Sequence, residues 1–163
     1  FALAHPGMIS ALILESGTAG IDDPLARADR RSRDFAPASR IENQSIEEFV
    51  QLWELVPALT DQSKELIEAQ RADRLRHDPP ALAAALRGIG QAAYEPMWPR
   101  LDAIEMPVLV ISGERDKIYT AHAERIAEAV RRAEHVTIAG AGHSVHLERP
   151  DEAAAAVSAF LAR

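Results

Sequence analysis

Asp116 and His143 are the two residues of this chain whose types and placement suit acid–base chemistry together. An apolar run, Val108-Leu109-Val110-Ile111, stops at the turn Ser112-Gly113-Glu114-Arg115-Asp116. Later, Val136-Thr137-Ile138-Ala139 stops at Gly140-Ala141-Gly142-His143-Ser144-Val145-His146. Each run reads as a strand, so acid and base both stand at a strand's carboxyl end, where open α/β sheets carry their sites. An aspartate accepting from one imidazole nitrogen fixes the tautomer and stabilises the imidazolium. The other nitrogen can then take a proton from a nucleophile or a substrate. This is two thirds of a nucleophile–His–acid triad. The third member is missing, because none of the nine serines stands in G-x-S-x-G and there is no cysteine.

Plainer roles exist for each of these residues. Asp116 could cap a turn through the Lys117 or Ile118 amide, and His143 could be a loop residue satisfied by backbone. Ser16, in Leu14-Glu15-Ser16-Gly17-Thr18, lacks the first glycine of an elbow and follows the wrong strand. Ser144 reads as a loop hydrogen-bonder. His146 invites a metal, but no third ligand has suitable spacing.

Periodicity and punctuation give the elements that must position this pair. Residues 11–15 form a short apolar run that reads as a buried strand. Asp22-Asp23-Pro24 opens a helix rich in arginine (Arg27, Arg30, Arg31, Arg33). Ser45 opens a helix with Phe49, Val50, Leu52, Trp53 and Val56 on its apolar face. Thr60-Asp61 caps another through about Leu75, and Asp78-Pro79-Pro80 starts one that Gly88 ends. A helix or broken helix fills 88–104, with Tyr94 and Trp98 as packing residues. Strand 107–112, helix 120–132, strand 135–139 and a helix from Pro150 complete the order. The fold class is α/β: parallel strands with flanking helices, right-handed crossovers and an all-helical insertion. The expected division is core at 1–21, helical cap at 22–87 and core again at 88–163.

Composition sets the outer bounds. A net charge of −7 excludes generic nucleic-acid binding. No apolar run approaches the roughly 20 residues of a membrane span, and the absence of cysteine fits a reducing compartment such as the cytoplasm. The chain opens Phe1-Ala2-Leu3-Ala4-His5-Pro6-Gly7, which reads as the last turn of a buried helix stopped by proline. Three parallel strands make a poor domain, since such sheets need neighbours and covered faces. Preceding strands of the same sheet are therefore expected, and the strand at 11–15 should offer an edge through which the chain associates.

Pro107 to Asp116 and Gly140 to Pro150 resemble the last two strand–loop motifs of the α/β-hydrolase superfamily. Phe1 to Glu15 resembles the segment after that family's nucleophile elbow. This resemblance implies a serine roughly eight residues before Phe1. The insertion is similar to the cap of one branch, the 2-succinyl-6-hydroxy-2,4-cyclohexadiene-1-carboxylate synthases of menaquinone biosynthesis. The similar stretches are Leu14 to Gly20, Arg27 to Asp34, Phe49 to Trp53 with Pro57, Arg71 to Leu75 and Leu82 to Gly88.

The resemblance implies a lyase on a hydrolase fold. Its serine acts as a base and pyruvate leaves a polycarboxylate cyclohexene, with no cofactor or metal. Arg30 and Arg74 match the family's carboxylate-binding arginines, and Trp53 matches a pocket aromatic. Arg71 stands between substrate contact and solvated helix face. The implied partner is a small anionic substrate, with no nucleic acid and no membrane. Without its serine the chain alone should be inactive. A carboxylester or enol-lactone hydrolase, and a non-catalytic binding protein of the same fold, are the alternatives.

Overall fold

The computed structural model describes residues 1–163, apart from the side chain of Ala36. It divides into two compact units: a core unit of Phe1–Ala19 with Met97–Arg163, and a helical unit, Gly20–Pro96. Residues 88–96, expected with the second stretch of core, group with the helices.

The core unit is built on a parallel sheet of β1 (Leu12–Glu15), β2 (Val108–Gly113) and β3 (Ala133–Ile138), in the order β1-β2-β3. Every residue of β2 is buried, and its side chains alternate between two apolar clusters. Val108 and Val110 enter one with Leu101, Ile104, Ala123 and Ile126. Leu109 and Ile111 enter the other with Val145, Ala153 and Phe160. β1, expected to be buried, is only partly so, with Ile13 exposed, because it is paired on one side alone. A strand buried at every position, as β2 is, must be covered on both faces. Here α6 (Lys117–Ala129) serves the first face, and α7 (Val145–Glu148) with α8 (Pro150–Leu161) the second. A 3-10 helix at Trp98–Ala103 replaces the broken helix expected over 88–104. Trp98 packs on the first cluster, with the Arg125 guanidinium 3.7 Å over its ring.

β2 and β3 end in register, with Gly113 opposite Ile138. The loops carrying Asp116 and His143 therefore leave adjacent strands at the same level. At the amino end, Ala4 and His5 both return amide hydrogen bonds to the Phe1 carbonyl, a single turn. It is not a buried one throughout: Ala2 and Leu3 pack on the core while the Phe1 side chain is exposed.

The helical unit contains α1 (Pro24–Ile41), α2 (Ile46–Trp53), α3 (Pro57–Thr60), α4 (Lys64–Arg74) and α5 (Pro79–Ile89). Their starts are written in the sequence. Asp23, Ser63 and Asp78 each accept a hydrogen bond from the amide three residues on, and Ser45 with Glu48 forms a reciprocal capping box. The helix expected from Thr60-Asp61 instead starts after Ser63, because Pro57 begins a separate turn and Ser63 supplies the cap. Gly88 does not end α5, which runs one residue further. Ala38 of α1, fully buried, and Ala83 of α5 form a small core with Ile41, against which Phe49, Leu82 and Leu86 pack.

Candidate active site

Asp116 is the N-cap of α6. Its Oδ1 accepts from the Tyr119 amide at 3.2 Å, while its Oδ2 faces His143 Nδ1 at 2.6 Å. The cap of α6 and the contact to the imidazole are thus held by one carboxylate, one oxygen each, with Tyr119 as the capped amide in place of Lys117 or Ile118. A carboxylate can only accept, so Nδ1 carries the proton and Nε2 is the nitrogen left for proton transfer. The Tyr119 ring meets the imidazole edge-on, with centroids 4.5 Å apart. The Asp116 side chain is 13% exposed and that of His143 28%, so the pair is shielded yet reachable.

Two glycines let the loops meet. A Cβ on Gly113 would lie 2.0 Å from the Gly142 carbonyl oxygen, and one on Gly142 would lie 2.9 Å from Glu148 Oε1. Gly140 takes φ +67, a turn conformation that residues with a Cβ rarely adopt. Three consecutive residues of the acid loop then reach the base loop. Glu114 accepts from the Gly140 amide at 2.8 Å, Arg115 donates its amide to the Ala141 carbonyl at 2.9 Å, and Asp116 holds His143. The Arg115 guanidinium also pairs with Glu148 at 2.5 Å. Glu114, Arg115 and Glu148 all lie inside the two strand–loop motifs, yet nothing in their types or spacing marks these contacts.

His146 Nδ1 faces Glu15 Oε1 at 2.8 Å, which ties the end of β1 to α7. Among the described residues no group of three or more His, Cys, Asp or Glu is placed to hold a metal ion. Ser144 contributes backbone rather than hydroxyl: its amide donates to Glu148, and its carbonyl accepts from Leu147 and Glu148. Ser16 is buried, with φ 44, and its hydroxyl finds no partner.

In the helical unit, Trp53 and Arg74 line one cavity of about 360 Å³ together with Phe49, His77, Leu82 and Leu86. Trp53 stacks on Phe49 with ring centroids 5.7 Å apart. Arg74 reaches Glu54 through Nη1 at 3.2 Å, and Arg71 engages both oxygens of the same carboxylate. Those hydrogen bonds from Arg71, with its charge and the contribution of Arg74, hold the Glu54 carboxyl below the usual range, against the opposing effect of burial. Arg30 lies outside that lining. Its Nε donates to Asp34 at 2.8 Å and its Nη1 to Gln91 at 2.8 Å.

Residues 2–156 match the model of the alpha/beta hydrolase family. A protein of Bacillus subtilis (strain 168), provisionally named 2-succinyl-6-hydroxy-2,4-cyclohexadiene-1-carboxylate synthase, is 34% identical over 164 aligned residues, covering 99% of this chain and 60% of the relative. The synthase of that name from Klebsiella pneumoniae subsp. pneumoniae is 31% identical, over 99% of this chain and 62% of its own length. The structure of MenH from S. aureus superposes with a TM-score of 0.90 at 33% identity, covering 94% of this chain and 59% of that one. The chain thus spans about 60% of the length of the relatives it matches.

Proposed function

The chain belongs to the α/β-hydrolase family, and from that premise we propose that it is the acid-, base- and cap-bearing part of a 2-succinyl-6-hydroxy-2,4-cyclohexadiene-1-carboxylate synthase. The observation that carries this reading is the 2.6 Å Asp116–His143 contact at the ends of adjacent parallel strands, in a chain similar to proteins named for that reaction. A serine upstream of Phe1 completes the triad. His143 Nε2 takes the serine proton while Asp116 holds the imidazolium in place. The serine oxygen then removes a ring proton from the substrate. The released electron pair moves through the ring, the carbon–oxygen bond breaks, and the three-carbon group leaves as its enolate. The serine keeps the ring proton, and the imidazolium of His143 gives its proton to the enolate, which becomes pyruvate and restores the neutral base. This step balances without a metal or cofactor.

The substrate of such a reaction is a polycarboxylate. Guanidinium forks bind carboxylates in two-pronged geometry, and Arg30 and Arg74 are assigned that task. Trp53, beside Arg74 in an otherwise largely apolar cavity, is assigned the ring face of the substrate. The reading puts the reaction in the cytoplasm. It also makes β1, which pairs only with β2 among the described strands, the edge through which the chain associates. A monodisperse, cooperatively melting monomer in sedimentation would refute that last point.

The test is an assay of the chain joined to its upstream sequence through a G-x-S-x-G serine. Stoichiometric pyruvate release from the polycarboxylate substrate, absent from the present chain alone, is expected. Hydrolysis of simple carboxylesters without pyruvate release would make the protein an esterase of the same fold. No turnover of either kind would make it a binding protein.

A further inference from the structure

The carboxylate of Glu148 is spent entirely on the two loops that form the Asp116–His143 pair. Its side chain is 6% exposed. Oε2 accepts from the Gly142 amide at 2.8 Å and from Arg115 Nη2 at 2.5 Å, and Oε1 accepts from the Ser144 amide at 3.2 Å. Gly142 and Ser144 are the residues on either side of His143, and Arg115 immediately precedes Asp116. One buried group therefore grips the base on both flanks and holds the acid's neighbour through an ion pair. The approach is close enough that Gly142 cannot carry a side chain without displacing it.

We propose that Glu148 is a positioning residue of this site, fixing the direction in which the His143 imidazole points at Asp116. The inference rests on the reading of Asp116 and His143 as the working pair, not on any particular substrate. Three donors converge on Glu148, and only a carboxylate offers acceptors to all of them. A glutamine in its place has one oxygen and one NH₂ group. In either amide orientation the NH₂ faces a backbone donor, and in one of them it also faces Arg115. A buried donor left facing a donor is costly, and the loop relieves it by moving Gly142, Ser144 and the residue between them. Asp116 is held independently as the cap of α6, so movement of the base loop alone changes the Asp116–His143 geometry.

The test is proton NMR of the present chain, which needs no substrate and no upstream serine. A proton shared between His143 Nδ1 and a carboxylate resonates far downfield, and its position and exchange rate report that one contact. The variants are Glu148→Gln and, as an independent route, Gly142→Ala, whose Cβ displaces the carboxylate. Both are expected to broaden or lose the downfield signal while the amide signals of β2, α6 and α8 keep their dispersion. Arg115→Met, which leaves both backbone amides on Glu148, is expected to shift the signal without abolishing it. An unchanged downfield signal in folded Glu148→Gln overturns the proposal. So does general loss of amide dispersion in both Glu148→Gln and Gly142→Ala, which would mark Glu148 as a residue of overall stability. Either result leaves the pyruvate assay untouched, so failure here and failure of the proposed function are separable.

Discussion

The two units hold their charged groups in different ways. In the core unit, the carboxylates around His143 accept from backbone: Asp116 from the Tyr119 amide, Glu114 from Gly140, Glu148 from Gly142 and Ser144. In the helical unit, the arginines pair with side chains: Arg27 with Glu95, Arg30 with Asp34, Arg71 and Arg74 with Glu54, Arg87 with Glu42. A backbone amide in a packed loop cannot rotate away from its acceptor. A guanidinium on a long stem can exchange one carboxylate for another at modest cost. The first arrangement suits a group that must be aimed before reaction begins. The second suits groups that must accept an incoming anion.

The largest effect expected is at the point where aiming matters most. In the protein completed with its upstream serine, Asp116→Asn should lower kcat by about 10⁴-fold, because an amide there no longer selects the Nδ1–H tautomer. A steady-state pyruvate assay measures it, and a loss under tenfold would mean that the backbone-held pair is not the working one. Next comes Gly113→Ala in the present chain. The added methyl would meet backbone oxygen of Gly142 and Ala141 rather than a yielding side chain. A cost of roughly 3 kcal/mol is expected for such overpacking, lowering Tm by roughly 6–12 °C. In the helical unit, Gly88→Ala meets nothing within 4 Å and should leave Tm unchanged or slightly raised. If the two substitutions cost the same, the rigidity assigned to the core loops is absent.

The core loops were legible in the sequence and the helical unit's pairings were not. Largely apolar runs ending in glycine-bearing turns announce parallel strands and place the next loop at the carboxyl edge. Asp116 and His143 could therefore be found together from Val108 and Val136 onward. Helix starts at Asp23, Ser45 and Asp78 were equally plain, since a cap is a local event. Which arginine meets which carboxylate is not local. Arg74, at the end of α4, meets Glu54, just past α2, through tertiary structure, and nothing in the spacing chooses Glu54 over Glu65 or Glu68. Glu148 was hidden for a related reason. Its reach back to Gly142 depends on the turn that folds α7 against its own leading loop, a contact with no periodic signature.

Arg74 and Arg30 sharpen the comparison from the other side. Arg74 lines the cavity that holds Trp53 and shares its carboxylate with Arg71, so Glu54 would keep a partner if Arg74 turned to a ligand. Arg30 would have to leave Asp34 and Gln91, and Asp34 Oδ2 is already buried without a partner. Arg74→Met should therefore weaken binding of a polycarboxylate such as citrate by roughly 10- to 100-fold, the worth of a hydrogen bond to a charged group. Arg30→Met should weaken it only a few-fold. Isothermal titration on the present chain decides this, and a larger loss at Arg30 would reverse that ranking of the two arginines.

The smallest effect separates the two units by pH. In the helical unit, hydrogen bonds from Arg87 to Glu42 and from Arg71 to Glu54 hold both carboxyls below their usual range. Their contribution is fully present above the ordinary glutamate value of about 4.3 and is lost as pH falls below it through the folded values. In the core unit the resolved shift is on His135, lowered by burial and opposed by the charge of Glu124. Its Nε2 lies 2.8 Å from the Ser112 hydroxyl and 3.3 Å from that of Thr137. Above about 6.5 the imidazole is neutral in both folded and unfolded chains. As pH falls below that value the unfolded chain takes the proton first, so folded stability declines until the pH passes the lowered folded value. The core should therefore begin to loosen as pH falls below about 6.5, while the helical unit is unaffected until the glutamate range. Amide exchange, corrected for intrinsic rates and read separately over β2–β3 and over α1–α5, measures this. His135→Gln should remove the core's early decline and leave the helical unit's later one. Loosening of α1–α5 first, at about pH 6, would show that the side-chain pairs of the helical unit carry less of its stability than their geometry implies.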